Sequence, residues 1–343
     1  MELLSLVWMG KPLSLWLVFF AIIIGLLVFD LGVLNRKDHE IGIRESLLLS
    51  SFYIAVSIAF GAFVWHQFGA EKGQQFFTGY LIEKTLSLDN VFVMSLIFAY
   101  VGVPRALQHR VLFWGILGVL VLRGAMIAGG SALVREFDWV LYIFGVFLIA
   151  TGIKMVFSGG DTPNISTNPL LKLMRWLLRI TPDLDGHHFF VRQPHPKTGQ
   201  PARYATPLFL ALILIEGADV LFAVDSVPAI FVITTDPYII YTSNVFAVLG
   251  LRALYFAIAA VVYRFHYLKY AMALILIFIG GKIFAADLLG LQKIPGLVSL
   301  GVIITLIAAG IAYSLWQTRR NSERYDTLRH GGRVYVVNRR NET

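Results

Sequence analysis

Glu83, Asp89 and Asn90 lie in one apolar run, Leu81 to Phe92, and Glu216, Asp219, Asp225 and Ser226 lie in another, Leu214 to Pro228. Such runs exclude water, so an ionised acid inside them needs compensation. A single Asp at the centre of a membrane helix costs about 2.5–3.5 kcal/mol even on insertion scales. Acids kept at that cost face a cavity, pair with an opposite charge, or bind something. The ligands on offer are hard oxygens, because the chain has no cysteine and none of its 8 histidines falls deep in either run. Oxygen donor sets suit Mg²⁺, Ca²⁺ or Mn²⁺ rather than Zn²⁺ or Cu²⁺. One reading is therefore a divalent-metal site built from Glu83, Asp89, Asn90, Glu216, Asp219, Asp225 and Ser226. The other is a structural charge network in which the acids only balance Arg123, Arg252 and Lys84.

Spacing constrains both readings. Glu216 and Asp219 are three residues apart and share a helix face. Six residues turn a helix through about 600°, so Asp89 points away from Glu83, and Asp225 from Asp219. Asp-Asn and Asp-Ser are poor helix-interior pairs, and Pro228 has no N–H for the carbonyl of Val224. Both helices are expected to break near Asp89 and Asp225, adding freed carbonyls to the ligand set. A membrane tolerates that only at a buried or watered site. Arg123 and Arg252 fall near the middle of their own runs. Each is expected to neutralise a site carboxylate when metal is absent and to yield it when metal arrives. Charge rather than fork geometry then matters, and lysine should partly serve.

The elements that must position these residues are long and apolar. Of the 343 residues, 57% are hydrophobic and 15% charged, against about 25% charged in soluble domains. Nine stretches, near 13–34, 46–66, 77–101, 110–131, 138–157, 206–233, 239–262, 267–287 and 296–317, approach the roughly 20 residues that a helix needs to cross a bilayer. The first lacks a small-residue cleavage site and reads as a retained span. The expected fold is an all-α polytopic bundle of about nine spans: a membrane domain at 1–317, a cytoplasmic loop at 158–203 and a basic tail at 318–343. With the N-terminus outside, twenty Lys and Arg fall in cytoplasmic segments and four, Lys11, Lys72, Arg135 and Lys293, in outer ones. That asymmetry sets the orientation. The net charge of +8 therefore belongs to loops and tail beside the membrane, not to a nucleic-acid surface.

A weak repeat underlies the pattern, at about 77–157 and 206–287. Glu83 and Asp89 match Asp219 and Asp225, Leu122-Arg123 matches Leu251-Arg252, and Gly152-Ile153-Lys154 matches Gly280-Gly281-Lys282. Each copy has three spans, so the copies are inverted, as in secondary transporters with a midplane site. Lys154 and Lys282 near span ends can snorkel, Asp30 reads as interfacial, and adjacent His187 and His188 read as a solvated loop pair. Val334 to Val337 are a candidate short strand. No HExxH or GxSxG occurs, so no enzyme is expected.

The acidic segments and their surroundings resemble a known family. Gly79-Tyr80-Leu81-Ile82-Glu83-Lys84 running into Leu88-Asp89-Asn90-Val91-Phe92-Val93, and Phe222-Ala223-Val224-Asp225-Ser226-Val227-Pro228 with Thr235-Asp236-Pro237, look like the two signatures of TerC-type membrane proteins. Ser243-Asn244-Val245-Phe246-Ala247, Leu249-Gly250-Leu251-Arg252-Ala253, Asp138-Trp139-Val140-Leu141-Tyr142 and His188-Phe189-Phe190-Val191-Arg192 fit as well. The resemblance covers roughly 15–316 and is nearest to the alkali-inducible Alx-type subgroup. Gln193 to Gln200 and the tail after Arg320 extend beyond the family pattern. The resemblance implies an inner-membrane, LysE-like transporter that exports Mn²⁺, with links to tellurite resistance, alkaline pH and metalation of exported enzymes. Mn²⁺, or Ca²⁺, would be the substrate, with no permanently bound cofactor and a homodimer left open. By motif match, the same seven residues would form the ion path. A membrane scaffold for metal loading of secreted proteins is the competing function.

Overall fold

The structure is a computed structural model. It describes residues 7–30, 41–157, 165, 169–194, 199–258, 268–289 and 295–330, without the side chains of Arg252 and of 318–330. It is a helical bundle of α1 (Leu13–Phe29), α2 (Ile43–Phe68), α3 (Ala70–Val101), α4 (Arg105–Glu136), α5 (Val140–Phe157), α6 (Pro169–Leu177), α7 (Pro207–Ile233), α8 (Pro237–Ile258), α9 (Leu268–Leu288) and α10 (Gly296–His330). Each of the nine apolar stretches falls on one of these helices, α6 being additional. Six of them, α2, α4, α5, α7, α9 and Gly296–Gln317 of α10, are long and apolar enough to cross a membrane. α1 and Pro237–Leu251 of α8 are shorter apolar helices. α3 is long enough at 32 residues and carries Glu83, Lys84 and Asp89 along its length. Val334 to Val337 lie outside the described residues.

Local chemistry sets the helix ends. Gly102 ends α3 in the left-handed region at φ 77°, its N–H bonded to the Phe98 carbonyl, where a Cβ would be strained. Pro104 then precedes α4. Pro207 occupies the first turn of α7, where its missing N–H costs nothing. Asp236 Oδ1 accepts the N–H of Tyr238 at 3.2 Å at the start of α8. Lys11 and Lys72 meet the other oxygen of Asp236 at 3.2 and 3.3 Å, tying three chain segments together at that end of the bundle.

The expected breaks near Asp89 and Asp225 do not occur. α3 and α7 are continuous helices, with Pro228 inside α7. The reason is tertiary. Asn90 gives its amide to Asp219 on α7 at 3.3 Å, so it does not compete for its own backbone. Buried Ala223, Val227, Ala229 and Ile230 hold α7 together across the missing Pro228 hydrogen bond. Among its described residues, the connection between α5 and α7 carries α6 and an antiparallel hairpin, β3 (Phe190–Pro194) on β4 (Pro201–Ala205), registered from Phe190↔Ala205 to Pro194↔Pro201. A smaller hairpin, β1 (Val7–Trp8) on β2 (Lys11–Pro12), precedes α1. Asp30 is buried in the protein. His187 and His188 are an exposed loop pair, as expected, with their rings stacked at 4.6 Å between centroids.

Helices α3 and α7 run antiparallel: Asn90 meets Asp219, and Gly79 faces Ile230. α5 and α9 are antiparallel as well, and nearly touch. A Cβ on Gly145 would lie 3.1 Å from the Gly280 carbonyl oxygen, and one on Gly152 would lie 2.7 Å from that of Ala273. Small residues replace the missing hydrophobic drive between membrane helices with close backbone contact. Gly280→Leu should therefore part α5 from α9 and lower stability by at least about 1–3 kcal/mol. Thermal unfolding in detergent measures this, and a parent-like midpoint would refute the close approach.

Candidate metal centre

Four helices converge on Arg123 of α4, which is 1% exposed. Its Nε and Nη2 donate to Oδ2 and Oδ1 of Asp219 at 3.1 and 3.0 Å, a two-pronged grip. Its Nη1 bonds Glu83 Oε1 and the side-chain oxygens of Asn244 at 2.9 Å and Ser226 at 3.5 Å. Asn244 returns its amide to Glu83 Oε2 at 3.0 Å, and Asn90 donates to Asp219. Glu83, Asn90, Asp219, Ser226 and Asn244 are all buried. One guanidinium thus crosses between an acid of α3 and an acid of α7, the pair that the sequence repeat equates. Asn90 and Ser226, one residue after the second matched acid of each copy, lie beside it. Two carboxylates against one guanidinium leave the cluster one negative charge in excess.

The structure brings together four of the seven expected site residues, Glu83, Asn90, Asp219 and Ser226, around the expected counter-ion Arg123. The other three stand apart. Asp225 accepts from Thr151 of α5 at 3.4 Å and feels the charge of Lys154. Asp89 faces the charge of Lys269 at the start of α9. Glu216 points at α4, where a Cβ on Gly115 would lie 3.2 Å from its Oε1 and one on Gly118 would collide with the carboxylate. Among the described residues no group of three or more His, Cys, Asp or Glu is arranged to hold a metal ion, and Arg123 lies between the cluster's two acids. Lys84 donates to the Ala247 carbonyl of α8 at 3.3 Å and so serves the helix backbone rather than a carboxylate. Arg252 lies on α8 and its side chain is outside the described ones. Asn244 belongs to the cluster but was not singled out as a ligand. A lone amide inside an apolar run was the available signal.

Three buried oxygens near this cluster have no hydrogen-bond donor among the described residues: both of Glu216 and Oδ1 of Asn90. A buried acceptor without a donor costs about 1–3 kcal/mol, more for a charged one. Glu216→Gln removes the charge in the same volume. The variant is expected to unfold at higher temperature than the parent, by about 1 kcal/mol or more. A lower midpoint would mean that Glu216 has a favourable partner.

Below Asp219 a small void is lined by Met94, Leu112, Ile116, Val119, Val248 and Leu251. A separate cleft of about 490 Å³ opens between the ends of α3 and α8 and the starts of α2 and α4, lined by Ser95, Phe98, Arg105, Gln108 and Tyr255 among others.

Residues 68–322 match the integral membrane protein TerC family. The chain belongs to the TerC family. All of the cluster residues lie within the matched segment. Curated relatives match most of the chain. An "Uncharacterized membrane protein" of Rickettsia bellii is 49% identical over 88% of this chain and 96% of its own length. The "Uncharacterized membrane protein STKORF319" of Myxococcus xanthus is 46% identical over 90% and 94%. The Escherichia coli protein named "Putative membrane-bound redox modulator Alx" is 45% identical over 92% and 98%. No solved structure matches the chain.

Proposed function

We infer that this TerC protein is a secondary transporter of the inner membrane that exports divalent metal, Mn²⁺ foremost, through the Arg123 cluster. The carrying observation is the buried guanidinium held wholly by oxygen acceptors from α3, α7 and α8. It is a cation site whose resident cation is a side chain. If the guanidinium swings aside, two carboxylates balance one divalent ion and leave a monovalent ion a charge short. The side-chain oxygens of Asn90, Ser226 and Asn244 complete a hard donor set of the kind Mn²⁺, Ca²⁺ and Mg²⁺ accept. Antiparallel α3 and α7, and antiparallel α5 and α9, support the inverted repeat of a transporter. The cleft between the ends of α3 and α8 and the starts of α2 and α4 is a candidate entry from the cytoplasmic side.

The test is metal uptake by purified protein in liposomes, with Mn²⁺, Ca²⁺ and Mg²⁺ compared. Saturable Mn²⁺ flux is expected, and no flux of any of the three ions would end the transport reading. The second reading, a membrane scaffold for metal loading, is favoured by the same cluster's saturation. Every nitrogen of Arg123 is engaged, as in a structural keystone. In that case Glu83→Gln would lower stability and no flux would exist to lose. The chain has no cysteine, so a redox role of the sort named for the Escherichia coli relative cannot use thiols of its own.

Orientation is tested separately. Reporter fusions at Lys72 and Lys293 are expected to score outside, and those at Lys172 and Arg329 inside. A cytoplasmic score at Lys293 would reverse the second half of the bundle and remove the inverted repeat.

A further inference from the structure

α6 is nine residues long and shows three different flanks. At about 100° per residue, Leu170, Leu171 and Met174 share the first. Leu171 is buried in the same core cluster as Leu210, Ala211 and Leu214 of α7, and the Leu170 tip fills the notch left by Gly217, next to Glu216. The second flank, Leu173, Trp176 and Leu177, is apolar and bare, with Trp176 80% exposed. The third, Lys172 and Arg175, is basic and exposed. A helix between two aqueous phases has no use for the second flank. A helix lying in a membrane interface needs all three: one for protein, one for acyl chains, one for headgroups. Trp is the aromatic that favours this depth, and α6 lies 12 residues after the end of α5. The basic-residue asymmetry places it on the cytoplasmic side, where the leaflet is anionic.

We propose that α6 lies flat in the cytoplasmic leaflet, with Leu173, Trp176 and Leu177 among the acyl chains and Lys172 and Arg175 on anionic phospholipid headgroups. The lipid contact joins the bilayer surface to α7 beside Glu216 through Leu170. It does not depend on the transport reading.

The chain's lack of cysteine makes the test direct, because Trp176→Cys and Leu173→Cys each carry a single label on an exposed position. Each is labelled with an environment-sensitive fluorophore in liposomes of phosphatidylcholine alone or with phosphatidylglycerol. The expected result is a blue-shifted label, quenched by nitroxide lipids and shielded from aqueous iodide. Pairing Lys172→Gln with Arg175→Gln should raise iodide access several-fold in the anionic membrane and little in the neutral one. A label open to iodide in both membranes would overturn the proposal. So would a shielded label that nitroxide lipids do not quench, which would mean that protein covers the flank. Equal behaviour in the two lipids would overturn the headgroup assignment.

Discussion

Arg123→Gln is expected to lower the stability of the metal-free protein by about 3–5 kcal/mol, because it leaves Glu83 and Asp219 buried without their counter-charge. Mn²⁺ should then raise the unfolding temperature more in the variant than in the parent, since the ion replaces the lost cation. The metal should bind more tightly and leave more slowly, so transport should fall although affinity rises. Lysine is not expected to rescue. From sequence, charge alone was expected to matter at this position. The geometry revises that, because the planar fork spans both oxygens of Asp219 while Nη1 reaches Glu83 and Asn244. A single ammonium cannot span both acids in that way. Detergent unfolding curves with and without Mn²⁺, beside liposome flux, decide the matter. A variant as stable as the parent would remove Arg123 as the counter-ion, and weaker Mn²⁺ binding would leave it a purely structural arginine.

Glu83→Gln and Asp219→Asn are expected to have the largest effect on transport. Each keeps the shape and removes one of the two charges that a divalent ion needs. Losing one partner of a buried charged contact costs about 2–5 kcal/mol, so metal affinity should drop by at least about 30-fold. Folding should suffer less than in Arg123→Gln, because one acid remains for the guanidinium and the cluster becomes neutral. The sequence places Asp89 and Asp225 in the same seven-residue site. Both acids lie outside the cluster, so the geometry orders the four variants: loss at Glu83 and Asp219 first, then at Asp89 and Asp225 as flanking stations on the path. Mn²⁺ flux in liposomes for the four variants side by side measures this. Normal flux with Glu83→Gln and Asp219→Asn would refute the cluster as the transport site.

Much of this protein is legible in one dimension. Hydropathy is a property of consecutive residues, and a bilayer demands about 20 of them in a row. Helices of the described residues such as α4 and α9 therefore followed from the apolar runs near 110–131 and 267–287 without any knowledge of neighbours. The cost of charge in those runs singled out Glu83, Asp219 and Arg123 for the same reason. Partnership was not legible. Arg123 meets acids 40 and 96 positions away and an amide 121 positions away, and no local pattern encodes such pairs. The helix breaks at Asp89 and Asp225 were wrongly expected for a related reason. Propensity treats Asn90 as a competitor for its own backbone, whereas packing gives its amide to Asp219. Asn244 went unnoticed as a ligand because a single polar residue becomes part of a site only when a neighbouring helix brings a charge to it. The docked face of α6 is the reverse case. Its sequence shows an amphipathic turn, and only the seat of Leu170 at Gly217 of α7 shows which flank is spent on protein and which is left for lipid.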